Sequence, residues 1–110
     1  MMLLLLALFS CVTAENARKS DTRTDLGTAY LKEGNAPGAV EALRQATRLN
    51  PQNSTAWERL ALAYMASDAH ELAEEAFDKA IKLGTSEEPA RVVYNYGLLL
   101  VKLGRNEEAL

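Results

Sequence analysis

The chain has 110 residues, 48% of them hydrophobic and 25% charged, which suits one small soluble domain and is too little for two. Twelve basic side chains are spread among fifteen acidic ones for a net charge of −3. Phosphate binding needs clustered Lys and Arg, so the balance gives no reason to expect nucleic acid.

Charge is absent from Met1 to Ala14, and Glu15 is the first charged side chain. The apolar run Met1–Phe9 falls far short of the roughly 20 residues a helix needs to span a bilayer. It reads as the hydrophobic region of an export signal over residues 1–10, although no Lys or Arg precedes it. The single cysteine, Cys11, follows in Leu8-Phe9-Ser10-Cys11, which resembles the bacterial lipobox, with Phe9 bulkier than the usual occupant. That resemblance implies a diacylglyceryl group on the thiol, cleavage between Ser10 and Cys11, and an acylated first residue. The alternative is a free cysteine ending an ordinary signal or a core strand. A lone Cys has no intrachain disulfide partner, which favours lipidation. Each buried acyl methylene contributes about 0.8 kcal/mol, enough over two or three chains to hold a protein at a membrane. Residues 11–20 have few large apolar side chains and mixed charge, the composition of a flexible tether, so the folded part is expected from Asp21 onward.

Helical signals then come in pairs. Leu26, Tyr30 and Leu31 share helical spacing, and Gly34-Asn35 ends their run. Pro37 suits the first turn of the next helix, where its missing N–H would be unpaired anyway. That helix carries Val40, Leu43, Ala46 and Leu49 and stops at Asn50-Pro51. Asn53 and Ser54 can cap a third, with Trp57, Leu60, Ala61 and Tyr64 as its stripe. Asp68 with Glu71 three residues on resembles a capping box for a fourth, in which Leu72, Ala73, Ala76, Phe77 and Ala80 lead to Leu83 and Gly84. A fifth starts at Pro89 with Val93, Tyr96, Gly97 and Leu100, and Gly104 marks its turn.

These pairs are copies. Leu26, Gly27, Tyr30, Ala39, Leu43, Ala46 and Leu49 recur 34 residues later as Leu60, Ala61, Tyr64, Ala73, Phe77, Ala80 and Leu83. The third copy is displaced by two, which places an insertion near Glu87-Glu88: Tyr96, Gly97, Leu100 and Ala109 lie 36 after Leu60, Ala61, Tyr64 and Ala73. A 34-residue helix pair with Leu, Gly or Ala, Tyr, Ala, an aromatic or Leu, Ala and Pro at these offsets resembles the tetratricopeptide repeat. Repeats run over 20–53 and 54–87, with a partial one over 90–110, all within a domain of residues 21–110. Arg23 stands where a large apolar residue is usual, and Thr85 replaces the terminal proline of the second repeat. The resemblance implies an all-α helix-turn-helix solenoid of about two and a half repeats, with Trp57, Tyr64 and Phe77 as packing residues. Stacked pairs form a superhelix with a concave inner face. About three repeats are usual for independent stability, so the expectation is a piece of a longer protein, or an open C-terminal end that a partner or a second copy completes.

No catalytic constellation is present. His70 falls in a turn with no nucleophile pattern around it, and neither a phosphate-cradling glycine loop nor metal-ligand spacing occurs. No cofactor is expected. Glu71, Glu74, Glu75 and Asp78 beside Lys79 and Lys82 read as a solvated face with Glu75–Lys79 and Asp78–Lys82 pairs. The family resemblance places the inner-face positions at Asp21, Thr24, Thr28, Leu31 and Lys32; Thr55, Glu58, Leu62 and Met65; and Arg91, Tyr94, Leu98 and Val101. Some members clamp a C-terminal carboxylate with Lys, Asn and Arg at positions that hold Thr24, Thr28, Arg59, Arg91 and Asn95 here, so that clamp is not expected. Leu31, Leu62, Met65, Leu98 and Val101 suit an amphipathic helix or extended apolar segment.

Lipobox, tether and tandem repeats together look like bacterial envelope lipoproteins, including the type IV pilus biogenesis and stability lipoproteins that help a secretin reach or assemble in the outer membrane. Val12 after Cys11, rather than Asp, favours outer-membrane sorting, facing the periplasm. The expectation is a non-enzymatic, membrane-anchored adaptor that binds protein. Two alternatives stay open: the N-terminal arm of a longer enzyme, and a soluble periplasmic assembly factor that is cleaved without lipidation.

Overall fold

Thr13 opens the first helix, its hydroxyl accepting from the Asn16 amide at 3.1 Å. The computed structural model describes residues 12–84, 89–102 and 104, with 89–93 as backbone alone. Five α-helices and no strand occur among them: α1 (Ala14–Lys32), α2 (Ala36–Leu49), α3 (Ser54–Ala66), α4 (His70–Leu83) and α5 (Pro89–Lys102). Cys11, the signal region 1–10, the insertion at Glu87-Glu88, Ala109 and Leu110 lie outside the described residues, as does the Arg91 side chain.

The expected tether differs from what is seen. Residues 14–20 form the first two turns of α1, begun by the Thr13 cap and supported by Lys19–Glu15 at 3.1 Å. Their low apolar content hides this, because α1 turns small and polar side chains inward: Ser20, Thr24 and Gly27 are its buried residues.

Each helix packs chiefly on the next, α1 on α2 and α3 on α4, and α1 also reaches α3. The core is rich in alanine, with Ala39, Ala42, Ala46, Ala61, Ala73, Ala76 and Ala80 all buried, so helix axes approach closely around larger side chains that are fully buried, Leu43, Phe77 and Leu99. Gly27 allows a close approach: a Cβ there would overlap the Leu43 side chain at its branch point. Phe77 meets Tyr96 edge-on, ring centroids 5.8 Å apart, and so ties α4 to α5. Leu26, which heads the repeat pattern, stays 38% exposed, whereas its counterpart Leu60 is buried. Trp57 is half-buried, donating to the Pro51 carbonyl at 2.8 Å, and Lys79 lies over its ring at 4.7 Å instead of meeting Glu75. Lys82 donates to Asp78 at 2.8 Å, and this hydrogen bond holds its amine above the ordinary 10.5.

The turns repeat as well. Gly34 sits at φ +77° after α1, where the Asn35 amide bonds the Tyr30 carbonyl at 2.8 Å. Thirty-four residues on, Asp68 holds φ +58° and the Ala69 amide bonds the Tyr64 carbonyl at 2.8 Å. This is the same left-handed helix ending, and Asp tolerates it better than most side chains. Asp68 is therefore a C-terminal turn residue and not half of a capping box: α4 is preceded by Ala69, with no side-chain cap, and His70 is its first residue.

Candidate functional site

The positions expected on the inner face lie on α1, α3 and α5 in succession. Near its start lies a polar knot that spans three helices. Ser20, fully buried, donates to the Ala46 carbonyl of α2 at 2.8 Å. Asn53 caps α3 by accepting from the Ala56 amide at 3.1 Å and turns its own amide onto α1. It donates to Ser20 Oγ at 3.0 Å, Asp21 Oδ1 at 3.2 Å and Thr24 Oγ1 at 3.4 Å. One side chain thus ends a loop, starts a helix and fixes the first repeat against the second. Sequence reasoning singled out Asn53 only as a cap and left Ser20 at the edge of the tether. The available signal was the spacing itself, since Ser20 and Ser54 stand 34 apart and both are buried.

Beside the knot, Asp21, Thr24, Asp25, Thr28, Asn53, Thr55 and Arg59 line a polar cleft of about 380 Å³. Thr24 is 6% exposed, and its hydroxyl returns to the Ser20 carbonyl at 2.8 Å. Thr28 does the same toward the Thr24 carbonyl at 2.8 Å. Glu58 is 3% exposed and meets Arg59 at 3.2 Å. Thr24 and Glu58 therefore support the face from beneath and offer it little surface. Asp21 and Lys32 are exposed, and Thr55 is half-buried.

Farther along each helix the face becomes apolar. Leu31, Leu62 and Met65 are half-buried, one side packed against the core and the other open. On α5 the pattern intensifies, with Tyr94 66%, Leu98 46% and Val101 54% exposed, three to four residues apart on one side of the helix. Leu99 and Leu100 point the other way and are buried. The arrangement can receive a segment with apolar side chains in its second half and hydrogen-bonding groups in its first. Among the described residues no group of His, Cys, Asp and Glu is placed to hold a metal, and no helix is long and apolar enough to cross a membrane.

A family model described as tetratricopeptide repeat matches residues 24–88 and 73–110. The type IV pilus assembly protein PilF of Pseudomonas aeruginosa is 35% identical over 117 residues, covering 97% of this chain and 46% of that protein. Human Superkiller complex protein 3 is 32% identical over 84 residues, covering 76% of this chain and 5% of that protein. The chain thus spans less than half the length of either relative. Among solved structures, the Arabidopsis OM64 TPR domain superposes with a TM-score of 0.79 at 24% identity, over 86% of this chain and 76% of that one. The second TPR of Spaghetti (RPAP3), bound to the HSP90 peptide SRMEEVD, gives 0.77 at 25% identity, over 86% of each chain.

Proposed function

The chain belongs to the tetratricopeptide-repeat family, a protein-interaction fold, and from that premise we propose that it is a non-enzymatic, membrane-anchored scaffold of the bacterial envelope that assists type IV pilus or secretin assembly. Its concave face takes an amphipathic or apolar segment of a partner protein, and Cys11 carries the lipid that holds it at the outer membrane, facing the periplasm. The likeness to PilF over nearly the whole chain supports the pilus setting. The observation that carries the binding mode is the exposed row Tyr94, Leu98 and Val101 in repeat register with Leu62 and Met65. Large apolar side chains left open in a row on a small domain mark a contact surface.

Leu98→Glu combined with Val101→Glu tests this. Both side chains are about half exposed, so cooperative unfolding should persist while the purified type IV pilus secretin no longer co-elutes with the variant. Unchanged co-elution would remove the groove assignment. The anchor is tested separately, by intact mass and membrane fractionation of the native-host protein beside Cys11→Ser. An unacylated, soluble parent would remove the anchor and leave the scaffold.

A further inference from the structure

The free end of the α1–α2 hairpin carries a charge pattern that neither the core nor the concave face uses. A groove of about 950 Å³ opens there between the two helices, with Leu49 at one side and Arg18, Lys19, Arg23 and Arg48 around it. Four of the twelve basic residues meet in this one place, against a single acid of fifteen, Glu15, which is taken up by Lys19 at 3.1 Å. Gln45, also at the groove, donates to Glu41 at 3.1 Å, so a second carboxylate lies at the rim. The imbalance stands out in a chain whose net charge is −3.

Repeat register shows what this face is not. Thr22, Arg23 and Leu26 occupy the positions of Ala56, Trp57 and Leu60, of which Ala56 and Leu60 are buried and Trp57 half-buried in the second repeat. A guanidinium in place of the indole makes the face a poor seat for another apolar repeat. A cap that serves solubility alone needs polar residues of either sign. Clustered cations of one sign fit an anion-bearing surface.

We propose that this basic end docks on the headgroup layer of an anionic phospholipid membrane, orienting the domain on the bilayer. The assignment to a membrane rests on the anchored reading given above. Only Val12 and Thr13 separate Cys11 from Ala14, the first residue of α1, and an extended chain spans at most about 3.6 Å per residue. A lipid on Cys11 therefore holds this groove, with Arg18, Arg23 and Arg48 as the cations that Glu15 does not take up, close to the phosphates. Each Lys or Arg at an anionic surface contributes about fivefold in partitioning, so three contribute about a hundredfold.

The test is co-sedimentation of the full chain carrying Cys11→Ser, which has no acyl anchor, with vesicles of phosphatidylglycerol and phosphatidylcholine or of phosphatidylcholine alone. The apolar segment Met1–Phe9 contributes alike to both, so the difference between vesicles reads the basic end. Preference for phosphatidylglycerol should fall about a hundredfold in Arg18→Gln/Arg23→Gln/Arg48→Gln and vanish in 1 M salt, where the Debye length is about 3 Å. Arg48→Gln alone, an exposed position on α2, should lose about fivefold if the triple variant folds poorly. Equal partitioning into both vesicles, or a preference that survives the substitutions, would overturn the proposal. So would binding of a poly-glutamate peptide without any vesicle preference, which would assign the groove to an acidic protein. A phosphatidylglycerol preference with no acyl mass on the parent protein would support this surface and remove the anchor; acylation without the preference would do the reverse.

Discussion

Gly27 and Leu43 offer a quantitative check on how the first repeat is packed. The three atoms nearest a Cβ built on Gly27 all belong to the Leu43 side chain, Cγ nearest, then Cδ2 at 2.8 Å and Cδ1 at 2.9 Å, closer than carbon atoms tolerate. Leu43 is fully buried and has no free space to turn into. Overpacking of this kind costs about 1–3 kcal/mol. Exchanging a mid-helix glycine for alanine returns about 1 kcal/mol of helix propensity. Gly27→Ala should therefore lose about 1 kcal/mol net, a fall in Tm of about 4–8 °C for a domain of this size. In a Leu43→Ala background, itself weakened by about 2–5 kcal/mol, the obstructing atoms are gone and the same Gly27→Ala change should stabilise by about 1 kcal/mol. The double-mutant cycle, measured by urea unfolding monitored by circular dichroism, should give a coupling of about 1–3 kcal/mol. Additivity within about 0.5 kcal/mol would show that these two residues do not meet and would refute the packing argument.

Phe77→Ala removes the largest fully buried side chain and its edge-on partner for Tyr96, so denaturant unfolding should show a loss of about 3–5 kcal/mol, a large share of the stability of a small domain. Asp68→Gly relieves the left-handed backbone at φ +58° and should raise stability by up to about 1 kcal/mol in thermal melts; a lower Tm would contradict the turn assignment. Asn53→Ala deletes an N-cap and three donations to α1 at once, and a loss of about 1–2 kcal/mol is expected by chemical denaturation. Asn53→Asp should recover only the capping share of that loss, because its carboxylate still accepts from the Ala56 amide but cannot donate to Ser20, Asp21 or Thr24.

Most of the scaffold is legible in the sequence because small residues recur where helices must approach, and helix ends are marked chemically at Gly34, Pro37, Asn50-Pro51 and Asn53. Three features escape that reading for physical reasons. The first turns of α1 hide because their buried residue is a serine, which carries no hydrophobic signal until its bond to the Ala46 carbonyl is seen. Asp68 misleads because an acid three residues before a glutamate reads as a cap; its register with Gly34 is what reveals the left-handed turn. The inner face is readable as a set of positions but not as a surface. Thr24 and Glu58 stand in the expected rows, yet they are buried where Leu98 and Val101 are open.

The repeats share one backbone plan, so their differences carry the direction of the molecule. Hydrogen bonds between helices concentrate at the junction of α1, α2 and α3, in the Ser20–Asn53 knot. Exposed apolar area concentrates on α5, at Tyr94, Leu98 and Val101. Clustered positive charge stands at the opposite end, around Arg18, Arg23 and Arg48. Under the proposed anchoring, the firmly tied, basic first repeat stands next to the membrane and α5 stands farthest from it. Polar contacts at the first repeat gain little net free energy, because each replaces bonds to water, whereas burial of the α5 row gains about 25 cal/mol per Å². Under the proposed binding mode, a segment arriving along the concave face would be held mainly at the distal end, and the polar cleft near Asp21 and Arg59 would set its direction. Substitutions on α5 should then change the lifetime of a complex, and substitutions in the cleft should change which segment is accepted.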